Sequence, residues 1–258
     1  KTKLTYLLSL TFLFLFSGSV YGGDFQDGKD AYERKDYKTA YKVWSPLAKQ
    51  GEAKAQYGLG MMYVKGRGVL QDYKEAVKWF RLSAEQSHSK AQYNLGAMYA
   101  TGRGVLQDYK EAVKWYRLSA KQGIAQAQYD LGLMHITGQG VSKNYKEALK
   151  WLSLSAKQGI AQAQYNLSLM YRKGLGVSQD YKEAAKWLSL SAGQSLAQAQ
   201  YDLGLMHITG QGVSRDFILA HIWLNLAEAN GNESAIKDRT SLEATMTLSQ
   251  IKKAQELA

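Results

Sequence analysis

The chain has 258 residues, of which 45% are hydrophobic and 21% charged, and its formal net charge is +11. This balance is typical of a folded protein and excludes a disordered chain. Cysteine is absent, which excludes disulfide bonds, thiol catalysis and lipid attachment through a thiol. Proline occurs once, at Pro46, whereas 24 residues are glycine, so we expect long helical stretches with glycine at fixed positions.

The segment 1–22 predicts a signal peptide. Lys1 and Lys3 precede the apolar run 4–16, and the small residues that follow, up to Gly22, suit a signal peptidase. The run is shorter than the roughly 20 apolar residues of a membrane-spanning helix, which disfavours the alternative of a retained anchor. We therefore expect no stable membrane anchor and a periplasmic or secreted protein of a Gram-negative bacterium.

Cleavage after residue 22 would leave 31 basic against 22 acidic residues, a formal charge of +9. In an exported protein, this charge favours anionic envelope surfaces or acidic proteins over nucleic acid as partners. A soluble surface coated with lysine explains the charge without any partner. We expect no nucleic-acid partner.

The tryptophans show an internal repeat. They are spaced by 35 residues and then four times by 36: Trp44, Trp79, Trp115, Trp151, Trp187 and Trp223. A period between 20 and 50 residues indicates stacked supersecondary units. The sequence therefore predicts five units, with all tryptophans in one column: 52–87, 88–123, 124–159, 160–195 and 196–231.

Each unit is predicted to contain two helices. In the first unit, apolar residues at helical spacing run up to Gly66, and glycine commonly ends a helix because it adopts positive φ without strain. The second helix is predicted to start after Asp72, whose side chain caps the first turn while Glu75 reaches back to the cap amide. Its predicted buried stripe, widened by Trp79 and Leu82, comprises Tyr73, Ala76, Val77, Phe80 and Ala84.

The two ends differ from the units. The segment 23–51 predicts a shortened opening pair of helices, in which Pro46 bends or ends the second helix. The segment 232–258 predicts capping helices, because the terminal units of a solenoid must cover exposed apolar faces. The fold class is all-α.

The segment 91–123 resembles the SEL-one-like repeat family, relatives of the tetratricopeptide repeats. The matching residues are Ala91, Leu95, Gly96, Tyr99, Gly102, Gly104, Val105, Asp108, Ala112, Trp115 and Ala120. The resemblance covers nearly everything after residue 22. It implies a right-handed α/α solenoid of stacked antiparallel helix pairs that binds other proteins, in bacteria often as an exported adaptor, regulator or host-interaction factor. Cysteine-rich relatives have been associated with β-lactam binding, but this chain lacks their paired cysteines.

One face of the first helices is predicted to bind a protein or peptide. The resemblance implies that these helices line the concave surface, where amide and carboxylate groups would hold a peptide backbone and leucines would meet its apolar side chains. The predicted binding residues are Asn94, Asp130, Asn166, Asp202, Leu133, Leu169, Leu205, Gln126, Gln162 and Gln198. The aspartates are expected to point away from the core and to hold a basic stretch of the peptide near units three to five. An ordinary solvated face is the alternative.

Histidines two units apart do not form a metal site. With helices packed 8–10 Å apart, two units separate His135 from His207 by roughly 20 Å, too far to share one ion. They occupy the column of Tyr63, Tyr99 and Tyr171, which predicts a packing role. We expect no metal and no cofactor.

Catalytic motifs are weak. Ser87–Lys90 and Ser249–Lys252 match the serine-x-x-lysine spacing of penicillin-recognising enzymes but lack the partner motifs. The sequence therefore predicts a monomeric, non-enzymatic, exported scaffold for a protein or peptide. The alternatives are a hydrolase or binder acting on β-lactam or cell-wall substrates, and an electrostatic binder of anionic envelope polymers.

Overall fold

The computed structural model describes residues 23–257, which form fourteen α-helices and no β-strand. The helices are α1 (Phe25–Glu33), α2 (Tyr37–Lys49), α3 (Ala53–Lys65), α4 (Tyr73–Glu85), α5 (Ser89–Thr101), α6 (Tyr109–Lys121), α7 (Ala125–Thr137), α8 (Tyr145–Lys157), α9 (Ala161–Lys173), α10 (Tyr181–Ala192), α11 (Ala197–Thr209), α12 (Phe217–Ala229), α13 (Glu233–Glu243) and α14 (Leu248–Leu257). The all-α prediction is confirmed. The predicted signal peptide lies outside the described residues.

From α1 to α13, each helix packs mainly against the helices immediately before and after it in the chain. From α3 to α12, the helices form five pairs, and each pair begins 36 residues after the previous one. The shorter pair α1–α2 precedes them, and α13 and α14 both pack against α12 at the other end. The molecule is therefore a repeat solenoid, in which each unit meets its neighbours in the stack.

The second helix of each unit begins at a capping side chain. The Oδ1 of Asp72 accepts hydrogen bonds from the backbone N–H groups of Lys74, at 2.8 Å, and Glu75, at 3.1 Å. The predicted bond from Glu75 back to the cap amide does not form, because the N–H of Asp72 donates to the carbonyl of Tyr63 at 3.0 Å. Glu75 pairs with Lys78 instead. The prediction is thus correct for the cap and wrong for the reciprocal bond.

Two glycines shape the loop inside each unit. Gly66 follows α3 with a φ of 62°, and its N–H donates to the carbonyl of Met62. The second glycine allows a close approach between units. In the loop of the next unit, between α5 and α6, this glycine is Gly104, and a Cβ there would lie 2.2 Å from the carbonyl oxygen of Tyr73. The loop of one unit therefore rests on the backbone at the start of α4, in the unit before it.

The buried stripe of α4 contains four of the predicted residues: Ala76, Val77, Phe80 and Ala84. Tyr73 and Trp79 are partly buried, whereas Leu82 is 44% exposed. The prediction is wrong for Leu82 because two residues along a helix turn a side chain about 200° away from Phe80. The ring of Phe80 covers Gly60 of α3, where a Cβ would lie 2.5 Å from it. A small residue at this position therefore lets the two helices pack closely.

Trp44 breaks the tryptophan column. Because α2 begins at Tyr37, 36 residues before Tyr73, Trp44 is the equivalent of Phe80 and not of Trp79. Its side chain is 4% exposed, and its Nε1 donates to the carbonyl of Phe25 at 3.1 Å. The prediction of a single column for all six tryptophans is therefore wrong, and the spacing of 35 residues marks a change of column.

Buried glutamines connect successive units. The side-chain amide of Gln56 donates to the carbonyl of Ala48 at 3.1 Å, and its Oε1 accepts from Nε2 of Gln86 at 2.8 Å. The hydroxyl of Ser83 donates to the carbonyl of Ala53 at 2.7 Å. Equivalent glutamine bonds recur at Gln92, Gln128, Gln164 and Gln200. These satisfied polar groups fix the register between units.

The two ends of the stack are closed differently. Pro46 lies in the last turn of α2, which continues to Lys49, so the expectation that it ends the helix is wrong. Proline has no N–H and so removes one intrahelical hydrogen bond, but the helix continues for three residues beyond it. At the other end, the buried His221 lies 2.7 Å from Oε1 of Glu243, and Arg239 pairs with the same carboxylate at 2.7 Å. This polar cluster ties α13 to α12.

Candidate binding face

The first-helix face is formed by four positions of α3, α5, α7, α9 and α11, spaced four, three and four residues apart, which lie on one side of a helix. In α7 these positions are Gln126, Asp130, Leu133 and Thr137. The last position is exposed in all five helices, whereas the two middle positions are partly or fully buried. All three predicted leucines remain partly exposed: Leu133, Leu169 and Leu205.

The second position of this face bonds to a tyrosine of the preceding unit. The hydroxyl of Tyr165 donates to Oδ2 of Asp202 at 3.3 Å, and Nδ2 of Asn166 donates to the hydroxyl of Tyr129 at 3.5 Å. Each partner lies 37 residues after its tyrosine. The same pairing joins Tyr57 with Asn94 and Tyr93 with Asp130.

These bonds give the predicted column a structural role that the sequence analysis missed. The column also continues beyond the units, because the hydroxyl of Tyr201 donates to Oδ2 of Asp238 in α13 at 2.7 Å. A further step of 36 residues from Asp202 would have found Asp238. Four of the ten predicted binding residues therefore join one unit to the next: Asn94, Asp130, Asn166 and Asp202.

Asp130 is held in a poorly solvated position. Burial raises the pKa of its carboxyl group to about 6, although hydrogen bonds from Tyr93 and Gln126 act in the opposite direction. The Nε2 of Gln126 lies 3.5 Å from Oδ1 of Asp130. Burial and the nearby Asp130 carboxylate also raise the pKa of Tyr116. The Asp130 carboxylate is therefore a stronger base than that of an ordinary aspartate, and it lies near the aromatic side chains of Tyr93 and Tyr116.

Asp202 is buried, with 5% exposure, so the expectation that it points away from the core is wrong. Its Oδ2 lies 3.4 Å from Nη1 of Arg172, and its Oδ1 accepts from Nε2 of Gln198 at 3.0 Å. Arg172 belongs to the preceding unit and is itself 33% exposed. The carboxylate is thus neutralised inside the protein, which weakens the predicted attraction for a basic stretch of ligand.

The three predicted glutamines differ in how freely they can meet a ligand. Gln126 and Gln198 donate to the aspartate of their own helix, and Oε1 of Gln198 also accepts from Asn232 at 3.3 Å. Gln162 is exposed, and its backbone carbonyl accepts from Asn166 at 2.9 Å. The side chain of Gln162 is therefore the best placed of the three to bind a peptide.

A cavity of about 570 Å³ opens at the N-terminal end of the first-helix face. Its aromatic lining comes from both helices of the opening pair and from α3: Phe25, Tyr32, Trp44 and Tyr57. Four lysines also line it: Lys29, Lys54, Lys65 and Lys90. We call it the N-terminal cavity. Its signal in the sequence is Gly58, since glycine stands there in the column that holds Asn94 and Asp130.

The histidines of the repeated stretches serve in packing and not in one site. His135 is 5% exposed and takes the place of Tyr99, and burial lowers its pKa. The Nδ1 of His207 lies 3.2 Å from the carbonyl of Ser214. Over residues 23–257, no group of three potential metal ligands comes together.

Of the two serine-x-x-lysine motifs, Ser87 lies in the turn before α5 and Ser249 in the first turn of α14.

The Sel1 repeat family matches the chain in five consecutive segments: 53–88, 89–124, 125–160, 161–196 and 197–232. The chain belongs to the Sel1 repeat family. Each Sel1 segment begins one residue after the unit predicted from the sequence. Sel1 repeats generally mediate protein–protein interaction, and the family generally consists of non-enzymatic scaffolds.

A solved bacterial structure shares this Sel1 architecture. The Sel1 repeat protein from Oxalobacter formigenes is 34% identical, with a TM-score of 0.78, and the match covers 83% of this chain and 88% of that protein. The uropathogenic Escherichia coli protein c5321, described as a protective antigen displaying an SLR fold, is 28% identical with a TM-score of 0.38, over 90% of this chain and 66% of its own. No curated protein matches this chain significantly.

Within the part of the chain that the structure describes, no helix has both the length and the apolar character needed to cross a membrane.

Proposed function

We propose that this Sel1 protein is an exported, non-enzymatic scaffold that binds a protein or peptide along the first-helix face. The observation that carries the proposal is the row of partly exposed leucines at one position of α7, α9 and α11: Leu133, Leu169 and Leu205. Packing between units uses the other faces of these helices and the second position of this face, so the leucine row is what remains for a ligand. The leucines contact apolar side chains of the ligand, and Gln162 bonds to its backbone.

Substitutions on the two surfaces of the solenoid test this role. A partner cross-linked to the protein in envelope extracts would be titrated against the variant Leu133→Gln/Leu169→Gln. We expect at least a tenfold loss of affinity, about 1.4 kcal/mol, because apolar contacts are lost. The matched control, Lys74→Glu/Lys110→Glu, changes exposed residues of the second helices and should stay within twofold. Equal weakening by both variants would place the binding surface elsewhere.

Export is the second part of the proposal, with a periplasmic or secreted, monomeric protein. Its support is the charged start at Lys1 and Lys3, followed by the apolar run 4–16. N-terminal sequencing of the protein from fractionated cells tests it. We expect a mature form that begins near residue 23, whereas an envelope protein that begins at Lys1 would contradict cleavage.

Binding of an anionic envelope polymer is the second candidate, favoured by the exposed lysines of the second helices. Four of these lysines already pair with a glutamate of their own turn: Lys78 with Glu75, Lys114 with Glu111, Lys150 with Glu147 and Lys186 with Glu183. Such pairs weaken the attraction of the surface for a distant anion. Salt separates the candidates, because polymer binding falls steeply with ionic strength whereas contacts through leucine are less sensitive.

A further inference from the structure

We propose that the N-terminal cavity binds an acidic segment of the partner, with an aromatic side chain of that segment inserted between the aromatic walls and its carboxylates on the surrounding lysines. This inference rests on the proposed function, since it assigns a chemistry to one end of the ligand that lies along the first-helix face.

The space for such a side chain results from two features of the sequence. Gly58 stands where the following units carry Asn94, Asp130 and their equivalents, so the ring of Trp44 can lie against the backbone of α3, where a Cβ at Gly58 would be 2.8 Å from that ring. In addition, α1 has nine residues, whereas α3 has thirteen, so the opening pair covers less of its neighbour. The resulting cavity of about 570 Å³ is in the range of sites that hold small ligands.

The walls of the cavity suit an aromatic ring. The rings of Phe25 and Trp44 stack with centroids 5.6 Å apart and an interplanar angle of 15°. Tyr57 and His88 form a second pair with centroids 4.8 Å apart. Burial lowers the pKa of His88, and the nearby Lys90 and Lys54 lower it further. His88 therefore offers a neutral ring at neutral pH, and aromatic pairs of this kind stabilise an added ring by offset stacking.

The positive charge of the cavity favours a negatively charged ligand. Four lysines and no carboxylate line it. Lys29 lies 3.7 Å from Glu33, and both side chains are largely exposed, so this pair is weak. Within residues 23–257, no carboxylate lies within 4.0 Å of the ammonium groups of Lys54, Lys65 or Lys90. The positive charge is therefore available to carboxylates of a ligand, and a basic segment would be repelled.

Three synthetic peptides and the purified full chain test the proposal by calorimetric titration. The first peptide has a phenylalanine flanked on both sides by glutamates, the second replaces the phenylalanine by alanine, and the third replaces the glutamates by lysine. We expect the first to bind, the second to bind at least fivefold more weakly, and the third not to bind measurably. This series needs no variant of the protein and so does not depend on how a variant folds.

Variants then locate the site. Lys54→Glu/Lys90→Glu should weaken the first peptide at least tenfold, whereas Lys74→Glu/Lys110→Glu, which makes the same change in net charge, should stay within twofold. Thermal melts of both variants check folding. Equal weakening by both variants, or similar affinity for all three peptides, would overturn the proposal.

Failure of this inference can be distinguished from failure of the proposed function. If no acidic peptide binds, while the leucine substitutions still weaken the natural partner, the cavity assignment is wrong and the first-helix face stands. If the acidic peptide binds in the cavity, while the leucine substitutions leave the partner unaffected, the extended face is wrong.

Discussion

Asp130 and Asp202 lie in identical stretches of eighteen residues, 125–142 and 197–214, yet the protein surrounds them differently. Asp202 is buried and paired with Arg172 of the preceding unit. In the unit before Asp130, the position equivalent to Arg172 holds Ala100, 72 residues earlier. Without a cation nearby, burial raises the pKa of Asp130 to about 6. Identical local sequence therefore does not give identical chemistry in this solenoid, because the preceding unit supplies half of each environment.

Replacement by lysine should give the largest difference in the free energy of unfolding between Asp202 and Asp130. Asp202→Lys would bury an ammonium group beside Arg172, and loss of a buried ion pair typically costs about 3–5 kcal/mol. Asp130→Lys should cost clearly less, since the side chain is only partly buried and faces no arginine. Urea denaturation at neutral pH gives both free energies of unfolding. Equal losses would mean that the neighbouring arginine is irrelevant.

Removal of Arg172 should make the surroundings of Asp202 resemble those of Asp130. Arg172→Ala leaves the buried Asp202 carboxylate with only Tyr165 and Gln198 as partners. We expect a loss of about 1–3 kcal/mol at pH 8, less than for a fully buried pair because Arg172 is partly exposed. The double variant Arg172→Ala/Asp202→Asn should recover most of this loss. Failure of asparagine to restore stability would show that Arg172 acts through packing alone.

Stability should depend on pH through Asp130 in a defined direction. Its pKa of about 6 in the folded protein exceeds the ordinary value of 3.8, so the folded state holds the proton more tightly and loses stability as pH rises from about 4 to 6. Asp130→Asn should remove this loss and raise the free energy of unfolding by about 1–2 kcal/mol at pH 7.5, with little change at pH 4. Chemical denaturation at both pH values measures it. A gain of equal size at both values would contradict the assignment.

The smallest effect should come from adding the missing arginine. Ala100→Arg places a guanidinium group where it can reach Asp130, and a partly exposed pair contributes about 0.5–1 kcal/mol at pH 7.5. The gain should vanish at pH 4, where Asp130 is protonated, and in the double variant Ala100→Arg/Asp130→Asn. A gain that persists in the double variant would reflect the helix propensity or packing of the new side chain.

The period of 36 residues and the caps were enough to predict the fold. Asp72 and Gly66 mark the start and end of helices through chemistry that involves only nearby backbone, so the sequence determines them. Trp44 was misplaced because a spacing of 35 residues looks like a small deletion, and only the start of α2 at Tyr37 shows the change of column.

The candidate site was less predictable because it depends on neighbours in space. The first-helix face was located from helical spacing, but the burial of Asp202 depends on Arg172, 30 residues earlier in the chain. The N-terminal cavity was missed for the same reason: it combines an absent side chain at Gly58 with Trp44 and Phe25 from the opening pair. Patterns within one unit do not reveal contacts between units.

The buried glutamine bonds have a consequence for how such a chain changes in length. Every junction between units uses the same amide and the same carbonyl position, as at Gln56 and Gln92. A gene segment that encodes whole units can therefore be gained or lost without creating a new kind of junction. The identical stretches 125–142 and 197–214 are the pattern that duplication of this kind leaves behind. The solenoid can thus gain or lose length in steps of one unit, while the surface residues of each copy diverge independently.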